Sequence, residues 1–104
     1  MTTEAMAAGD DTAALSALMR LSGVRLRTAS AILHWLRPDR FPTLDVNVVV
    51  ALGEPEPKSY DDFGLYSRIA QRIRALAGQH QLDLRTIDRA LWTWGDKRRR
   101  RRQA

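Results

Sequence analysis

The sequence predicts an all-α domain of about five helices, and three observations carry that reading. Apolar residues recur at three- and four-residue steps along several stretches. Between those stretches fall the residues that stop or cap helices: Gly, Pro, Ser and Asp. The chain has 104 residues, 44% of them apolar, which is enough for one small core and leaves little room for a second domain.

The elements follow in order. Residues 1–9 read as a flexible start. Asp10 and Asp11 can cap a helix running to about Arg20, with Leu15, Leu18 and Met19 on one face. Ser22-Gly23 ends it. A second helix is expected over 27–37, with Ala29, Ile32, Leu33 and Leu36 at helical spacing, and Pro38 stops it. The loop "PDRFPT" follows. A short third helix is expected from Asp45 to Gly53, a residue suited to a C-terminal cap. Val46, Val48, Val49 and Val50 are β-branched, so propensity alone gives a strand there. The helical reading rests on a resemblance described below. "GEPEPKS" is a polar, Pro-rich connector. Ser59, with Asp62 three residues on, opens a long helix over 60–77. Its seam is Phe63, Tyr66, Ile69, Ala70, Ile73, Leu76 and Ala77, and Gly78 closes it. A last helix, capped by Asp83, is expected over 84–94, with Leu84, Ile87, Ala90, Leu91 and Trp94 inward. The domain body is thus 10–96, and 97–104 is a basic tail expected to be disordered.

Charge divides the chain. The net charge is +5, but the tail alone supplies six of the 17 Lys and Arg residues and no acid. The other eleven face 12 acids, so the body is almost neutral. Within it, Arg20, Arg25, Arg27, Arg37 and Arg40 meet only Asp39. This segment and the tail are the two regions suited to a phosphate backbone. For the tail, Lys97, Arg98, Arg99, Arg100, Arg101 and Arg102, the bland reading is a solvated end that aids solubility. Six consecutive cations exceed that need, and non-specific nucleic-acid contact is the favoured reading.

Composition also excludes. With no cysteine there is no disulfide, no Cys-ligated zinc and no iron–sulfur cluster. His34 and His80 stand in no ligand spacing, so no metal site is expected. The longest apolar run, 46–52, is interrupted by Asn47 and is too short to span a bilayer. The acidic start "MTTEAMAAGDD" lacks the cations of a signal peptide, so a cytoplasmic protein with no membrane partner is expected. Trp35, Trp92 and Trp94 read as core or core-edge, His34 as a surface or capping residue, and Asp88 and Arg89 as surface pairs. Tyr60 and Tyr66 read as packing for the long helix.

The informative stretch is "LSGVRLRTASAIL", 21–33. A very short turn around Gly23 joins two helices, and a helix start directly after a tight turn points several backbone N–H groups outward. Such amides hold a phosphate without reading the base. An ordinary αα-hairpin with arginines on its wet face is the competing reading. In "FPTLDVNVVVALG", 41–53, Asp45 is a lone carboxylate in an apolar run. It either caps a helix or serves as a catalytic acid.

These two motifs, in this order, resemble the helix-hairpin-helix DNA glycosylase superfamily (HhH-GPD). Leu21, Gly23, Val24, Thr28 and Ala29 match its hairpin pattern Leu-Pro-Gly-Val-Gly-x-x-Thr-Ala. "FPTLDVNV" is similar to the Asp-containing segment of its adenine-mismatch members, which is helical after the Asp. The resemblance covers roughly 10–53. It implies phosphate contact by Ser22, Gly23, Val24, Arg25, Arg27 and Thr28, often completed in the family by a bound monovalent cation, with no other cofactor. It implies that Asp45 stabilises the positive charge on a sugar as a glycosidic bond breaks, or orients the attacking water. Arg25 replaces the second hairpin glycine, where a positive φ carries a cost of on the order of 1 kcal/mol. Arg27 stands where Schiff-base-forming members have Lys, and a guanidinium does not become a nucleophile near neutral pH. Any enzyme here is therefore a monofunctional N-glycosylase without lyase activity. The family has several helices before the hairpin, and one is expected here, so half of a base pocket is lacking. The leading expectation is sequence-nonspecific DNA binding of the base-excision-repair type, with glycosidic hydrolysis through Asp45 as an added activity. The alternative is a non-enzymatic interaction protein whose fold is completed by a partner or by self-association.

Overall fold

The computed structural model describes residues 3–21 and 23–103, with side-chain surroundings for 11–21 and 23–102. Five helices make up the described fold: α1 (Thr3–Met19), α2 (Leu26–Leu36), α3 (Val46–Ala51), α4 (Phe63–His80) and α5 (Leu84–Gln103). The all-α class expected from the sequence is the observed one.

The central element is α4. Its buried face carries Leu65, Tyr66, Ile69, Ala70, Ile73 and Ala77. Leu15 of α1, Leu26 and Ala29 of α2, Leu44, Val48 and Val49 around α3, and Ile87 of α5 complete the core. Each fully buried Leu or Ile here removes apolar surface worth about 1.5–3 kcal/mol from water. The β-branched run 46–50 is helical because Asp45 caps it. Asp45 Oδ1 accepts from the Asn47 amide at 2.8 Å, and Val48 and Val49 reach the core only from a helix turn. Packing overrides propensity at this point.

Several boundaries differ from expectation. Within the stretch expected to be a flexible start, α1 is helical from Thr3. Its sequence is rich in Ala and Met, which favour helix, and residues 1 and 2 lie outside the described residues. Asp11 does not cap. It is 4% exposed and joins α1 to the rest through Arg74 Nη2 at 2.6 Å and Arg40 Nε at 3.2 Å. In α4, Asp62 is the cap and accepts from the Leu65 amide, while Ser59 holds the Asp61 amide in the turn before it. Gly78 does not end this helix. Gln81 does, in the left-handed conformation at φ 54°.

The largest change is at the C-terminus. Residues 97–103, expected to be a disordered tail, continue α5 as helix. Arg and Lys are good helix formers, cations suit the negative end of the helix dipole, and Asp96 pairs with Arg100 at 3.1 Å one turn on. The seam of α5 is also turned. Ile87 and Asp88 are buried, and the seam passes through Leu91 and Gly95, leaving Ala90 and Trp94 exposed. Gly95 causes this. It lies directly against the Asn47 backbone, where a Cβ would overlap the carbonyl. With no side chain, α5 approaches α3 backbone to backbone, and these two helices pack more extensively than any other described pair.

Candidate nucleic-acid interface

A tight turn joins α1 to α2. Leu21 donates to the Leu18 carbonyl at 3.0 Å and Val24 to the Leu21 carbonyl at 3.2 Å. Gly23 takes φ 78°, a value that L residues avoid. Ser22 lies outside the described residues. Arg25, at the second glycine position of the motif, has φ −103°. No strain is attached to it, and the cost considered from the motif does not arise. Gly23, Arg25, Arg27 and Thr28 are exposed, and Val24 is half-buried.

Asp45 stands at the N-cap of α3 with a partly buried carboxylate. The segment before it is fixed on both sides. Leu44 donates its amide to Ser30 Oγ at 3.0 Å, and Thr43 donates to Asp88 Oδ2 at 2.9 Å. Asp88, expected in a surface pair, is thus a buried residue, 4% exposed. Burial pushes its carboxyl above the usual range, against the pull of the Thr43 amide and of His34; Asp45 adds to the rise. His34 is a bridging residue. Its Nδ1 lies 2.7 Å from the Phe41 carbonyl and 3.3 Å from Asp88 Oδ2, and a carbonyl only accepts, so Nδ1 carries the proton.

The basic run of α5 returns to this place. Arg99 donates to Asn47 Oδ1 at 2.8 Å, and Arg98 to the Val50 carbonyl at 3.4 Å. Arg98, Arg99 and Arg102 line a cleft of about 450 Å³ together with Val46, Val49 and Tyr60. Lys97, Arg100, Arg101 and Arg102 are exposed, with Arg100 held by Asp96.

Tyr60 joins the parts. The guanidinium of Arg27 lies over its ring, 5.0 Å from the centroid. Its hydroxyl is buried and finds no hydrogen-bond partner among the described residues. Burial first, then Glu56 and Asp45, push its pKa up, while Arg27 and Arg99 pull it down. Arg27 of the hairpin helix, Asp45 of α3 and Arg99 of α5 therefore all lie within electrostatic reach of one hydroxyl. The two basic regions, some 70 residues apart in sequence, thus both approach Tyr60: Arg27 over its ring, and Arg98, Arg99 and Arg102 around the cleft that it lines.

Sequence reasoning missed Tyr60, Asn47, Gly95 and Asp61. A glycine inside a helix-forming stretch was the one available signal. Trp35, read as core or core-edge, is 84% exposed, and Trp92 and Trp94 are about half exposed. Among the described residues there is no cluster of metal-ligating side chains and no helix long and apolar enough to cross a membrane. No family model, no curated protein and no solved structure matches this chain.

Proposed function

We propose that this chain is a sequence-nonspecific duplex DNA-binding domain of the base-excision-repair glycosylase type. The hairpin around Gly23 and the cationic end of α5 hold backbone phosphates, and Asp45 caps the short helix α3 against which α5 packs. The observation that carries this reading is that Arg27 of the hairpin helix and the arginines of the end of α5 come to one side chain, Tyr60. Backbone amides and guanidinium groups contact phosphate without reading bases, so affinity is even across sequences and falls steeply with salt. A carboxylate fixed at the start of α3 can stabilise a sugar cation as its base departs. Arg27 cannot form a Schiff base, so base release stops at an abasic site. Titration of unrelated duplexes across salt concentrations tests the binding. Incubation with a panel of damaged and mismatched duplexes tests the base release.

A second reading is favoured by the exposed apolar side chains Leu21, Trp35, Leu36, Leu82, Trp92 and Trp94. Exposure of this kind suits a protein-interaction surface, covered by a partner or a second copy.

A further inference from the structure

We infer that Asp61 is a built-in competitor of phosphate at the hairpin, so that the turn before α4 is a latch that DNA must lift. This rests on the reading of the hairpin as a DNA contact. Leu26 opens α2, and its amide donates to Asp61 Oδ1 at 3.0 Å. The other oxygen of the same carboxylate lies 3.0 Å from Arg25 Nε. One backbone amide and one guanidinium from adjacent residues thus converge on a single anion. Two oxygens of a phosphate would take the same pair of donors. Arg25, at the N-cap of α2, has no acceptor to offer, so the helix is capped from outside by a residue 35 positions away.

The latch has its own geometry. Ser59 Oγ accepts from the Asp61 amide at 3.1 Å and sets the turn. Tyr60 lies against Arg27. Asp62, the next residue, faces the other way and caps α4 through the Leu65 amide at 3.1 Å. Two consecutive carboxylates therefore serve two different helices. The Asp61 contact is easily opened, because the Arg25 side chain is 75% exposed and pairs this wet contribute little.

The test compares Asp61→Asn with Asp62→Asn in duplex titrations at one salt concentration. Both variants remove one negative charge, and asparagine still caps each helix. Asp61→Asn should tighten binding severalfold, up to about fivefold, as expected when one exposed ion pair with Arg25 is released. Asp62→Asn should change it by no more than about twofold, as expected of a single exposed charge. The gain should vanish in a Gly23→Val background. If wild type binds, Gly23→Val weakens it, and the two asparagine variants tighten equally, the hairpin reading stands and the latch is overturned. If neither wild type nor any variant binds duplex, the DNA reading falls and the latch with it. A second measurement needs no substitution. In wild type, the side-chain carboxyl ¹³C resonance of Asp61 should shift as duplex is added, while that of Asp62 stays. A stationary Asp61 resonance in the saturated complex also overturns the latch.

Discussion

A Cβ on Gly95 would overlap the Asn47 carbonyl, so this glycine is held by close approach and not by its dihedral angles. Alanine is the better helix former by about 1 kcal/mol, which favours Gly95→Ala in an isolated helix. Here the clash is with backbone, which cannot rotate away. Overpacking should outweigh propensity and destabilise the domain by about 3 kcal/mol, measurable by urea unfolding. A stability equal to wild type would mean that α5 does not sit against α3 at this residue. Asp45 is the opposite case, because its substitution should be almost silent in stability. Its carboxylate accepts one amide bond, from Asn47. Asp45→Asn should keep that bond and cost a few tenths of a kcal/mol at most. DNA affinity should be unchanged or slightly higher, since one negative charge is gone. Any base release should disappear, because the charge facing the sugar cation has been removed. Retained base release in Asp45→Asn would sink the catalytic role. A large loss of stability would show that the carboxylate serves the fold as an ion-pair partner.

At the scale of elements, α5 alters what its arginines can do. Six free cations in a disordered tail could each meet a phosphate. In the helix, Arg98 and Arg99 bond to α3 and Arg100 pairs with Asp96. Lys97, Arg101 and Arg102 are exposed and are the tail cations that the proposed DNA contact would use. Replacing these three by Gln should lower the slope of log K against log salt by up to about 2.7, from roughly 0.9 per phosphate contact. The fold should hold, because none of the three bonds to α3. An unchanged slope would remove the end of α5 from the interface. This element also marks the limit of what the sequence revealed. The class, the hairpin turn, the Asp45 cap and the Asp83 cap were legible, because each is written in two to four adjacent residues. The course of α5 was not. Its seam is set by Gly95 meeting Asn47, a contact across 48 positions that periodicity does not carry. Asp88 misled for the same reason. A carboxylate next to Arg89 reads as a surface pair until the Thr43 amide and His34 are brought to it.

At the scale of the whole molecule, the two readings differ in what stabilises the fold. A DNA-binding domain is folded alone and gains stability from duplex by mass action. At free duplex of about 100 times Kd the gain is about 2.7 kcal/mol. For a domain of about 100 residues, each kcal/mol moves Tm by roughly 4–8 °C, so duplex should raise Tm by about 10 °C or more. The rise should shrink with salt, and Tm without DNA should not depend on protein concentration. An interaction protein completed by its own copy behaves in reverse. Its Tm climbs with protein concentration and ignores duplex, and its tryptophan emission shifts to the blue as Trp35, Trp92 and Trp94 leave water. Those three side chains are exposed in the single chain, so they report the association directly. We expect the first pattern, since the arginines brought to Tyr60 from the hairpin helix and from α5 suit a phosphate backbone, while the exposed aromatic residues lie on both α2 and α5. A Tm that rises with protein concentration, with tryptophans buried and no response to duplex, would overturn the DNA reading and make the apolar surface the functional one.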